Sequence, residues 1–89
     1  MTQELSPPSL LEFPALFAIK AMGLAQNDFA DFVLEIVRQT FADAEIIYTR
    51  PSGQGKYLAV TIQVTAIHRE QLDNVYRQLT CQPRVLMAL

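Results

Sequence analysis

Cysteine and histidine each occur once in the 89 residues, as Cys81 and His68. A single cysteine has no internal disulfide partner, so nothing in the chain calls for an oxidising compartment. With no CxxC and no HxxxH spacing, the side chains that hold a structural metal are absent, and neither a metal nor a cofactor is expected. A surplus of one charge is missing too. Seven basic against nine acidic side chains leave a net charge of −2, which gives no sequence-independent attraction to nucleic acid or anionic lipid. The opening "MTQELSPPSL" has no basic start followed by an apolar run, so no signal peptide is expected. No apolar run approaches the ~18–20 residues of a membrane-spanning helix. These absences together point to the cytoplasm.

What the chain does have is apolar side chains, 51% of the total, so a packed domain rather than disorder is expected. Its length suits one domain, although so short a chain hides less of its surface than a larger one. Residues 1–11, with Pro7 and Pro8 among polar neighbours, read as a flexible lead-in to a single domain over 12–89.

"FPALFAIKAMG" suits a strand, with Pro14 tolerated at its start and Gly23 at its end. Lys20 marks the solvent side, because an unpaired buried ammonium is costly. Phe17 and Ile19 then face the core, with Leu16, Ala18 and Met22 beside Lys20. In "NDFADFVLEIVRQTF" the period changes: Phe29, Phe32, Val33, Ile36 and Val37 form one face of a helix ending near Ala42. Asn27 or Asp28 can cap it, and Asp31 in the first turn suits the macrodipole. "EIIYTRP" is a short strand. "KYLAVTIQVTA" is the cleanest one, with Leu58, Val60, Ile62, Val64 and Ala66 alternating against Tyr57, Ala59, Thr61, Gln63 and Thr65. From His68, "HREQLDNVYRQL" is helical, with Leu72, Val75, Tyr76 and Leu79 as its stripe. Gln71 can complete half of a capping box, His68 being a poor cap. "PRVLMAL" closes as a strand in which Val85, Met87 and Leu89 alternate with their neighbours.

The order strand, helix, strand, strand, helix, strand is that of the ferredoxin-like βαββαβ sandwich, an α+β fold. It predicts a four-stranded antiparallel sheet in the order 4-1-3-2, with both helices on one face. "RPSGQGKY" falls between the second and third strands. One residue, not four, separates Gly53 from Gly55, and a strand rather than a helix follows Lys56. Neither a Walker loop nor a dinucleotide-binding loop fits, whereas Pro51, Ser52 and the two glycines suit a hairpin.

Catalytic constellations fail on geometry. His68 and Cys81 sit at opposite ends of the second helix, about 20 Å apart at ~1.5 Å per residue, against the ~3 Å of a nucleophile–base pair. His68 reads as a surface residue at a helix start and Cys81 as a small apolar residue after the helix. The acid pairs Asp28/Asp31 and Asp43/Glu45 read as a helix first turn and a solvated loop. RNA binding is disfavoured, because an RNA-recognition sheet stacks bases on several aromatics and the third strand offers Tyr57 alone. Lys20, Arg50 and Lys56 make a modest basic spot.

Two features point to binding instead. Leu16, Ala18, Lys20 and Met22 beside Tyr57, Ala59, Thr61 and Gln63 form an open sheet face whose first strand is too apolar for a purely solvated surface, and such patches mark association. A homodimer or a partner protein would sit there. In the turn "MGLAQN", Gly23 lets the backbone approach a ligand, and the helix start at Asn27 leaves N–H groups that suit an anion.

With these residues in place, the chain resembles the YbeD-like family of small bacterial proteins of unknown function. The resemblance runs over about residues 10–89 and is carried by "EFP" at Glu12–Pro14, Lys20, Met22–Gly23, "RPS" at Arg50–Ser52, Gly55 and Tyr57. It continues through "EQL" at Glu70–Leu72, Tyr76, Leu79, Val85 and Leu89. Two positions depart from it: Ala59, where the family has a small polar residue, and His68, where it has a hydroxyl or acidic cap. The resemblance implies a ferredoxin-like fold akin to regulatory ACT domains, which bind small metabolites near the Gly23 turn, and no established catalytic residue. It also implies gene neighbourhood with lipoyl-group transfer. The expected function is therefore a non-enzymatic regulatory or adaptor module. An accessory role in lipoate or acyl-group metabolism and weak RNA binding are the alternatives.

Overall fold

Two strands of ten residues, each apolar on one side, set up the sheet. In the computed structural model, which describes residues 13–89, β1 (Ala15–Leu24) is followed by α1 (Phe29–Arg38), β2 (Glu45–Ser52), β3 (Tyr57–Ala66), α2 (Arg69–Thr80) and β4 (Val85–Ala88). The lead-in expected over residues 1–11, and Glu12, lie outside the described residues. The strands stand in the order β2-β3-β1-β4, every neighbouring pair antiparallel, which is the predicted 4-1-3-2 read from the other edge.

β1 and β3 pair along their whole length, from Ala15 opposite Ala66 to Leu24 opposite Tyr57. Ile19, Ala21, Val60, Ile62, Val64 and Ala66 are buried on one side of that pair. The helices cover this side: Phe29, Val33, Ile36 and Val37 from α1, and Leu72, Val75 and Leu79 from α2. Each such side chain contributes roughly 1.5–3 kcal/mol by leaving water. No polar or charged residue is buried as a whole among the described residues, although the Gln78 side-chain oxygen is itself buried, and the buried residues form one apolar cluster.

The first helix is shorter than its periodicity predicts, ending at Arg38 rather than near Ala42. Gln39 and Thr40 bond back to Ile36 and Val37 over three residues, and Arg38 Nε donates to the Ala44 carbonyl at 3.0 Å. Phe41 and Ala44, which follow the last turn, are both buried in the core. At the start of α2, Gln71 Oε1 accepts from the N–H groups of Ile67 (2.7 Å) and His68 (3.1 Å), the expected half of a capping box. The hairpin also forms as predicted. Gly53, Gln54 and Gly55 all have positive φ, and Pro51 sits on β2, an edge strand, where its missing N–H costs no ladder bond.

Candidate functional site

With both helices on one side, the other set of strand side chains stands in the open, and register fixes which residues meet. Across β3 and β1, Tyr57 lies beside Leu24, Ala59 beside Met22, Thr61 beside Lys20, Gln63 beside Ala18 and Thr65 beside Leu16. On the β2 side Arg50 continues the row of Ala59, and Tyr48 that of Thr61. Leu16, Ala18, Lys20, Met22, Tyr57, Thr61 and Gln63, the residues picked from alternation, therefore share one continuous surface. Leu16 is 67% exposed at its end, and Met22 lies across Ala59 with its sulfur 3.9 Å from Ser52 Oγ.

β4 departs from expectation. Simple alternation puts Val85, Met87 and Leu89 on one side, but the ladder slips between Met22 and Gly23: Gly23 pairs with Val85, Met22 with Met87 and Ala21 with Ala88. Leu86 is the additional residue of a β-bulge. Beyond it, Met87 joins Met22 on the open face, and Leu89 exchanges both backbone hydrogen bonds with Lys20 at 2.9 and 2.7 Å. Val85 stays buried, whereas Met87 and Leu89 are exposed. A hollow of about 120 Å³ lies between Lys20, Met22, Ala59, Met87 and Leu89. Tyr48 is a second addition, brought outward by an irregularity after Ile46 in β2. Both additions depend on local breaks in pairing, for which composition gives no signal.

The turn before α1 is occupied by the protein itself. A Cβ on Gly23 would collide with the Arg84 carbonyl and come within 2.7 Å of the Phe29 ring, so glycine here answers a packing demand. Arg84 stacks over Phe32 at 4.4 Å and grips Asp28 with two hydrogen bonds of 2.7 and 3.3 Å. Asp28 occupies the N-cap position yet makes no cap bond, its carboxylate being taken by Arg84. Those bonds hold the Asp28 carboxyl below its ordinary range. Asn27 is exposed in the same turn, and the adjoining crevice, between Leu24, Gln26, Pro83, Arg84 and Leu86, measures about 50 Å³.

The remaining candidate residues are dispersed. His68 and Cys81 flank α2 at its two ends, and Cys81 is exposed rather than packed away. The Asp43 carboxylate accepts the Thr65 N–H at 3.0 Å, a structural bond at the end of β3. No cluster of metal-ligating side chains occurs among the described residues, and no helix there is long and apolar enough to cross a membrane.

Comparison with known proteins places this geometry. The model of a family described as "Protein of unknown function (DUF493)" matches residues 8–89. A UPF0250 protein of Neisseria gonorrhoeae is 43% identical over 91 positions, with the whole of both chains covered. Among solved structures, protein HP0495 from H. pylori superposes with a TM-score of 0.76 at 10% identity, over 100% of this chain and 96% of that one. The ACT domain from GTP pyrophosphokinase of Chlorobium tepidum superposes with a TM-score of 0.62 at 13% identity, over 84% and 83%. At such identities these two structures establish the fold, and nothing finer.

Proposed function

This chain belongs to the DUF493 family of proteins of unknown function, the YbeD-like group its sequence resembles, and from that premise we propose that it is a non-enzymatic adaptor or regulatory module that works by protein association through the open sheet face. The observation that carries this reading is the concentration of large apolar side chains on the sheet face opposite both described helices. Met87 and Leu89 are 50% and 67% exposed there, Met87 in register with Met22 and Leu89 opposite Lys20. Leu16, also 67% exposed, stands at the far end of β1 opposite Thr65. A contiguous apolar patch rimmed by polar groups is the usual mark of an association surface. The ACT-like fold is compatible with a regulatory role.

The test is positional. A photo-cross-linking residue at Leu16 or Met87 yields protein adducts in the native cell, whereas the same residue at Asp73 on the outer side of α2 yields none. Equal yields from the two sides, or adducts from α2 alone, would reject the reading.

A further inference from the structure

The charges of this molecule sort by face. On the sheet side stand Lys20, opposite Thr61 in register, Arg50, opposite Ala59, and Lys56, whose Nζ lies 5.6 Å from the centre of the Tyr57 ring. Against these three cations the paired strands carry one acidic side chain on the same side, Glu45, opposite Gln63; Asp43 stands beyond the end of β2, its carboxylate engaged by the Thr65 N–H. That leaves a net +2. Elsewhere the described residues hold Asp28, Asp31, Glu35, Asp43, Glu70 and Asp73 against Arg38, Arg69, Arg77 and Arg84, a net −2. Arg84 and Arg69 have acids of their own, Asp28 and Asp73. None of the three sheet-side cations forms an ion pair among the described residues. Arg38 and Arg77 on the helix side also lack an ion pair, but they stand amid an excess of acids, whereas on the sheet side, where the exposed leucines and methionines are, cations outnumber acids.

We propose that the open face receives an acidic amphipathic helix of a partner protein, apolar along one side and lined with carboxylates. The inference rests on the association reading and names the chemistry of the occupant. Complementary charge steers and registers such a contact, whereas like charges exclude wrong partners. A second copy of this chain, laid face to face, would set +2 against +2 across a spacing of about 10 Å, little more than the ~8 Å screening length at physiological salt. A polyanion such as RNA would meet three cations interleaved with apolar side chains to which phosphate offers nothing. Register places Lys20 and Arg50 two strands and two residues apart, about 12 Å. Carboxylates eight residues apart on an α-helix are separated by that same rise of about 12 Å.

The probe is a synthetic peptide with leucines at i, i+3, i+4 and i+7 and glutamates at the remaining positions, titrated into the isotope-labelled full chain and followed by NMR. Its twin carries lysines in place of the glutamates. The glutamate peptide shifts resonances on the open faces of β1, β3 and β4, Met22 and Met87 among them, and the lysine twin shifts none. Raising salt to about 0.5 M weakens binding roughly tenfold, and the double variant Lys20→Glu/Arg50→Glu, checked for an unchanged fold by its own spectrum, weakens it by at least as much. Equal response to both peptides, indifference to charge reversal, shifts confined to the helices, or no response to the glutamate peptide would each overturn the proposal. So would preferential binding of an oligouridine to the same residues. A wild-type dimer in sedimentation that dissociates in Met22→Asp would make the occupant a second copy, overturning this inference while leaving the association reading intact. Absence of cross-links from Leu16 and Met87 would remove that reading instead.

Discussion

Ile19 and Lys20 are neighbours on β1 with opposite surroundings: Ile19 is wholly buried beneath the helices, and Lys20 is exposed on the other side. The same division runs through the whole strand pair. One side is packed by Phe29, Val33, Val37 and Val75, all at 0% exposure, and the other carries neither of the described helices. Ordinary two-layer sandwiches also leave one side of the sheet to water, but there the strands read apolar-in, polar-out. Here the second side of β1 and β4 is itself largely apolar. The difference teaches where each job would fall: the covered side holds the core, and if the open face serves association as proposed, it should change without unfolding the chain.

The sharpest way to break that separation is a matched pair on one strand. Ile19→Ala removes a fully buried side chain and should cost about 2–5 kcal/mol in urea unfolding. Leu16→Ala, three residues away and outward-facing, should stay within about 0.5 kcal/mol. Similar losses for the two would dissolve the contrast. Gly23→Ala comes next, at roughly 1–3 kcal/mol, because its Cβ would press on the Arg84 backbone and the Phe29 ring. A substitution there that leaves the midpoint unchanged would mean that the covered side stops short of the end of β1. Met87→Ser should move the thermal midpoint by less than about 4 °C, since the side chain lies outside the core; a larger drop would show that β4 contributes its methionine to the interior.

The smallest effect concerns pH. The hydrogen bonds from Arg84 lower the Asp28 pKa in the folded chain. The resulting stabilisation is fully present above the unfolded value of about 3.9 and is lost as pH falls through the lower folded value. Because Asp28 is 70% exposed, solvent screening keeps the effect small. Acid titration of stability in wild type and Arg84→Gln should differ slightly in that window and coincide at pH 7 after the baseline difference is subtracted. Identical acid limbs would show that the clamp contributes nothing.

Much of this architecture is legible in the residues. Period-two alternation in β3 and the 3.6-residue stripes at Phe29–Val37 and Leu72–Leu79 identify their buried sides without ambiguity, and Lys20 orients β1. The hairpin is legible because Gly53, Gln54 and Gly55 must accommodate positive φ. Three things escape. The position of Arg84 over Phe32 and against Asp28 joins residues 56 apart in sequence, and no local pattern signals it. The end of α1 is set by three-residue hydrogen bonds at Gln39 and Thr40 and by the bond from Arg38 to the Ala44 carbonyl, which the apolar periodicity does not signal. The open face is read from β1 and β3 alone, because the contributions of Tyr48, Met87 and Leu89 depend on irregular pairing at the sheet's two edges.

The bulge at Leu86 acts as a phase selector. In an unbroken ladder starting from Val85 opposite Gly23, Met87 would stand opposite Ala21 and Leu89 opposite Ile19, both beneath the helices. One additional residue reverses their parity and sends the smaller Ala88 inward. When related chains are aligned, the terminal strand should therefore be phased from the residue facing the crowded glycine, because matching its hydrophobic letters alone would turn that strand inside out.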